Sequence, residues 1–176
     1  MGLGHCAVGL AAKPVAPRVP LGILLLATMM LDVLAIAFGW IGIESAKTGN
    51  PWSHSLLMSV VWSMAAGLLC SRIFHNHRAG VVTGLLVFSH WVLDFVSHPI
   101  PFSSFSWRSW QWSYGHPLPP DLPLLFAGSP KVGLGLYNSI SAAQATALEL
   151  GMLVLGVAVY VTYVVRSRGN RGVQSG

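Results

Sequence analysis

Residues 80–97 form an apolar run long enough to cross a bilayer as a helix, yet His90 and Asp94 lie within it and His98 follows directly. These three recur every four residues, so on a helix they make a single polar stripe. Around them the run is apolar, with Val81, Leu85, Val87, Trp91, Val92 and Phe95. Ionisable groups are costly in hydrocarbon, so the stripe is expected to face a protein interior. Two imidazoles and a carboxylate at this spacing can hold a metal ion.

The composition points the same way. Of 176 residues, 53% are hydrophobic and only 9% charged, against about a quarter charged in a soluble domain. The apolar runs are far longer than barrel strands, which predicts an all-α fold: an integral membrane four-helix bundle in one domain spanning 1–176. The net charge of +5 reads as membrane topology rather than nucleic-acid binding. Cys6 and Cys70 make no disulfide framework or clustered metal motif. Residues 2–12 lack the basic start of a cleaved signal peptide.

Along the chain, residues 3–12 are too short to span and predict a half-helix or interfacial helix, followed by a turn at Pro14, Pro17 and Pro20. Spans are expected at about 21–43, 54–74, 80–97 and 140–165. A long loop rich in Pro, Ser and Trp separates the last two, and a polar, basic tail covers 166–176. Lys13, Arg18, Arg72, Arg78, Arg166, Arg168 and Arg171 fall on one side, which places both termini in the cytoplasm. Trp40, Trp52, Trp107, Trp110, Trp112 and Tyr114 then gather on the outer side as an interfacial belt.

Helical rise gives approximate heights above the inner ends of the spans. Asp32 and His90 come out at about 18 Å, Asp94 at about 24 Å, Glu149 at about 25 Å and His54 at about 27 Å. A half-helix rising from Lys13 brings His5 to about 12 Å. Polar groups from separate spans thus converge on the outer half of the membrane. His5, Asp32, His54, His90 and Asp94 together offer nitrogen and oxygen ligands suited to zinc, manganese or iron. A metal held there with an open position acidifies water and yields a hydroxide nucleophile. Asp94 or Glu149 is the candidate general base, or the partner that orients a ligand imidazole.

Each residue also has a plainer reading. His90 and Asp94 form an interhelical pair in packing alone. His54 is interfacial, with Ser53 as helix N-cap. His98 ends its span, His75 and His77 are solvated in the inner turn, and His116 and Asp121 belong to the outer loop. The Trp-rich segment 104–114 anchors that loop at the interface, or guides a lipid-like substrate. Residues 131–138, Lys-Val-Gly-Leu-Gly-Leu-Tyr-Asn, lack the Gly-Lys-Ser/Thr ending of a phosphate loop.

Gly4-His5, Leu31-Asp32, His54-Ser55-Leu56-Leu57 and Ser89-His90-Trp91-Val92-Leu93-Asp94 occur in this order. Together they resemble the bacterial inner-membrane family of metal-dependent hydrolases, in particular a subgroup of small four-span proteins. The wider pattern is loosely similar to zinc-dependent phospholipase C enzymes. The resemblance covers most of the chain, the outer loop and basic tail excepted. It implies metal ligation, by zinc above all, at His5, Asp32, His54, His90 and Asp94. It also implies hydrolysis of a membrane lipid or other ester or phosphoester. The chain departs from the family in having Leu31 before Asp32 and Val33 after it, and in replacing an arginine-rich stretch by Gly49-Asn50-Pro51-Trp52-Ser53.

Two other functional classes fit the same residues. A non-catalytic subunit of a larger membrane complex would use the polar groups to bind one another across helices. A proton or ion carrier would use Asp32, Asp94 and Glu149 as a relay. Haem held by two histidines requires a facing pair at equal depth.

Overall fold

A computed structural model of the chain describes residues 2–45, 50–97 and 121–174. Helix α1 (Gly2–Ala11) leads through a proline-containing turn to α2 (Leu21–Thr28) and α3 (Met30–Trp40). Two longer helices, α4 (Leu56–Ile73) and α5 (His77–Ser97), follow. A two-residue antiparallel ladder of β1 (Leu122–Pro123) and β2 (Lys131–Val132) and a single 3₁₀ turn (Leu136–Asn138) precede α6 (Ala142–Gln174). The expected all-α class holds, with one small two-stranded ribbon beside the helices.

Three helices are long and apolar enough to cross a membrane among the described residues: α4, α5 and the 142–169 portion of α6. The expected continuous span at 21–43 is instead broken, with α2 and α3 meeting at Met29 at an angle of 62°. Counted as one bent span, the pair makes a fourth. The last helix runs to Gln174, so most of the expected polar tail is helical.

The burial pattern is inverted relative to a water-soluble bundle. Ser53, Ser55, Ser59, Thr83, His90, Asp94 and Glu149 are buried, while Leu26, Ile36, Leu68, Leu85 and Leu155 are exposed. Such apolar exteriors suit hydrocarbon surroundings, where backbone groups must be satisfied within each helix. A compact apolar cluster of Val19, Leu24, Leu31, Leu86 and Val87 sits beneath the polar groups.

Small residues bring the helices close. The α4–α5 hairpin is drawn together along Gly67, Gly80 and Gly84: a Cβ at Gly80 would lie 2.5 Å from the Gly67 carbonyl oxygen and 2.6 Å from Ser71 Cβ. Small residues four apart allow this approach, which maximises van der Waals contact between helices. The hairpin turns at His75, whose φ of 47° is left-handed, and Asn76 caps α5 by accepting from the Ala79 N–H. The exposed His75 and His77 stay at this end, His77 as the first residue of α5. Helix α1 lies against α6 at a comparable contact: a Cβ at Gly156 would meet the Ala7 carbonyl oxygen at 2.5 Å.

At the other end, the ribbon is tied to both long helices. The Leu57 N–H donates to the Leu124 carbonyl and the Leu134 N–H to the Phe95 carbonyl. His98, His116 and the Trp-rich segment 104–114 lie outside the described residues.

Candidate metal centre

Five side chains from three helices and one turn meet in the interior. Helix α1 supplies His5, the first turn of α3 supplies Asp32, the turn before α4 supplies His54, and α5 supplies His90 and Asp94 one turn apart. His5 Nε2 lies 3.2 Å from Asp94 Oδ1, and His90 Nε2 lies 3.2 Å from Asp94 Oδ2. His54 Nε2 lies 3.4 Å from Asp32 Oδ1 and 3.7 Å from Asp94 Oδ2, and His90 Nε2 lies 3.5 Å from Asp32 Oδ1. Two overlapping groups, His5–His90–Asp94 and Asp32–His54–His90, have ligand atoms close enough to share an ion.

Within each group the separations are those of ligands on one ion. Ligands bound tetrahedrally at zinc distances of 2.0–2.1 Å stand about 3.3–3.4 Å from one another. The short His–Asp contacts are not all hydrogen bonds: the Nε2 atoms of His5 and His90 are buried and have no hydrogen-bond partner. A buried imidazole nitrogen left without a partner costs about 1–3 kcal/mol, and a cation among these atoms would remove that cost. The donor set is nitrogen and oxygen, with Cys6 and Cys70 both free thiols outside it. Cys70 instead accepts a 3.0 Å hydrogen bond from the Thr83 hydroxyl.

A neighbouring carbonyl fixes the His90 ring. His90 Nδ1 lies 2.7 Å from the Thr28 carbonyl oxygen. A carbonyl can only accept, so Nδ1 carries the proton and Nε2 presents its lone pair. Thr28 is the last residue of α2, so the break at Met29 serves the site twice. It turns the Thr28 carbonyl to His90 and places Asp32 in the first turn of a new helix, where the dipole favours an acid. A Pro or Gly would have announced the break in the sequence; Thr28, Met29 and Met30 do not.

Ser55, rather than Ser53, caps α4, its hydroxyl accepting from the Met58 N–H at 3.2 Å. Ser53 turns to Glu44, a residue whose part the sequence did not reveal. Glu44 is buried, accepts from the Trp52 and Ser53 backbone N–H groups at 2.7 and 2.8 Å, and takes the Ser53 hydroxyl proton at 2.8 Å. An acid directly after the predicted span 21–43, a short loop before a Trp-Ser-His run, is the signal that could have marked it.

Glu149 stands apart from the five. One carboxylate oxygen accepts from the Leu3 N–H at 3.2 Å, and the other accepts from the Tyr137 hydroxyl at 3.0 Å. It therefore caps the start of α1, two residues before His5, and joins that helix to α6 and to the 3₁₀ turn. Of the five clustered side chains, four are almost fully buried, whereas Asp32 is 26% exposed. Asp32, on α3, is thus the member of the cluster most open to the exterior.

No family model, curated protein or solved structure matches this chain.

Proposed function

We propose that this is a membrane-embedded, metal-dependent hydrolase acting on a membrane lipid or other membrane-proximal ester or phosphoester. The observation that carries the reading is the convergence of His5, Asp32, His54, His90 and Asp94 at ligand-to-ligand distances of 3.2–3.7 Å, with two imidazole nitrogens lacking any other partner. The order of sequence motifs that resembles the inner-membrane metal-dependent hydrolases is in keeping with it. In this reading the protein crosses the inner membrane four times, the bent α2–α3 pair serving as one span, with both termini cytoplasmic. The excess of Lys and Arg at the inner ends of the spans supports that orientation.

His5, His54 and His90 would hold the ion, zinc being best matched to the donor set, with Asp94 and Asp32 completing its sphere. When bound, the ion supplies a Lewis acid and makes water at that point acidic enough to react near neutral pH. Asp94 offers both carboxylate oxygens to the cluster, and the one not engaged by the ion is placed to receive a proton. Asp32, at the accessible edge, faces the arriving substrate. Glu149 acts at a distance by holding the start of α1 and so the height of His5.

Metal analysis of the purified full-length protein in detergent tests the reading, followed by ester and phosphoester turnover. Stoichiometric transition metal, lost in His90→Ala and in Asp94→Ala, is expected. Wild-type protein that purifies without metal and gains none on incubation with zinc overturns it.

A further inference from the structure

We infer that Glu44 is a positioning residue for His54, acting through the Ser53 hydroxyl to decide which ring nitrogen carries the proton; this rests on the metal-centre reading above. The chain of bonds is short and fully enclosed. Glu44 Oε1 accepts from the Trp52 and Ser53 backbone N–H groups, and Oε2 accepts from Ser53 Oγ at 2.8 Å. Ser53 Oγ also lies 2.8 Å from His54 Nδ1. Ser53 is fully buried, and Glu44 and His54 nearly so.

A hydroxyl has one proton to give. Because Glu44 takes it, Ser53 Oγ can only accept from His54, and the imidazole must carry its proton on Nδ1. Nε2 is then left with a lone pair, facing Asp32 and Asp94 at 3.4 and 3.7 Å. Only that form of the ring can ligate an ion through Nε2. His90 reaches the same form by a different device, the Thr28 carbonyl. A backbone carbonyl cannot be lost by mutation, but the arrangement at His54 depends on two side chains and is therefore open to test.

Glu44→Gln is the informative variant. Its amide oxygen still receives the two backbone N–H groups, so the loop keeps its anchor. Its NH₂ now points at Ser53, which turns the hydroxyl proton toward His54 Nδ1 and moves the ring proton to Nε2. The measurement is made on full-length protein in detergent, with ¹⁵N-labelled histidine reporting the tautomer and Co²⁺ as the metal probe. His54→Ala identifies the His54 signal and gives the spectrum of a centre lacking that ligand. The expected result is an Nδ1–H ring in the wild type and an Nε2–H ring in Glu44→Gln. Co²⁺ affinity falls roughly 10–100-fold in that variant, as for other outer partners of metal ligands, and the d–d absorption resembles that of His54→Ala. Ser53→Ala keeps the Glu44 backbone bonds and is expected to weaken Co²⁺ binding as well, with Ser53→Thr restoring it. The inference is overturned if His54→Ala weakens Co²⁺ binding while Glu44→Gln binds as the wild type does and keeps the Nδ1–H ring. Wild-type protein that takes up no Co²⁺ overturns the metal reading instead, and the tautomer of His54 in Glu44→Gln then decides the positioning role by itself.

Discussion

His5 and His90 stack face to face, with ring centroids 3.8 Å apart and planes 10° from parallel, and each presents Nε2 to a different oxygen of Asp94. With His54 Nε2 at 3.7 Å as well, one carboxylate reaches three imidazoles. Asp32 has fewer contacts, both through Oδ1.

The two acids should therefore differ. Asp94→Asn is expected to reduce zinc affinity by more than the roughly 100-fold upper range for losing an outer partner of a ligand. Asp32→Asn should cost less. Competition titration against a chromogenic chelator checks the ranking, and an equal or reversed order would contradict the placement of Asp94 at the centre.

Metal should stabilise the fold. A ligand that binds only the folded state adds about 2.7 kcal/mol at a free concentration of 100 times its Kd. Thermal unfolding in detergent, with and without zinc at that excess, should show the gain in the wild type. Chelator should abolish it, and His90→Ala should show none.

Glu149 accepts one hydrogen bond from α1 and one from the 3₁₀ turn, and variants should separate them. Tyr137→Phe removes one neutral donor and is expected to lower stability by about 1 kcal/mol. Glu149→Gln sets an NH₂ against either the Leu3 N–H or the Tyr137 hydroxyl. It should loosen α1 and weaken metal binding through His5, without eliminating it. Unchanged zinc affinity in Glu149→Gln would show that α1 is held by its packing alone.

The glycines make opposite predictions according to their surroundings. Gly151, in α6, has nothing within 4 Å of an added Cβ, so Gly151→Ala is expected to gain up to about 1 kcal/mol from helix propensity. In Gly80→Ala the new methyl meets backbone and the Ser71 side chain at 2.5–2.6 Å. Forcing α4 and α5 apart should cost about 1–3 kcal/mol. Unfolding of the two variants side by side in detergent tests the contrast.

Much of this was legible in the sequence because hydrophobic run length and the four-residue polar spacing are local properties. The 80–97 run, with its His90 and Asp94 stripe, appears as part of α5 with both side chains buried inward. Counting residues from the basic ends spread His5, Asp32, His54, His90 and Asp94 over heights of about 12–27 Å, and in the structure these five meet. What the sequence concealed depends on contacts between distant segments. The bend at Met29 has no Pro or Gly to mark it, and its partner is His90, 62 positions beyond Thr28. Ser53 looked like a helix cap, whereas its hydroxyl is drawn away to Glu44, nine residues back. Glu149 has the depth of a site residue, yet its oxygens are taken up by the Leu3 amide and the Tyr137 hydroxyl.

The bare contact between Gly156 and the Ala7 carbonyl has a consequence for biosynthesis. Helix α1 rests on α6, so part of the wall that positions His5 is in place only after α6 has been made. A nascent chain ending before Ala142 would contain all five clustered side chains but lack the wall that fixes one of them. An ion site built from these five side chains would then gain its last supporting wall only after α6 is in place.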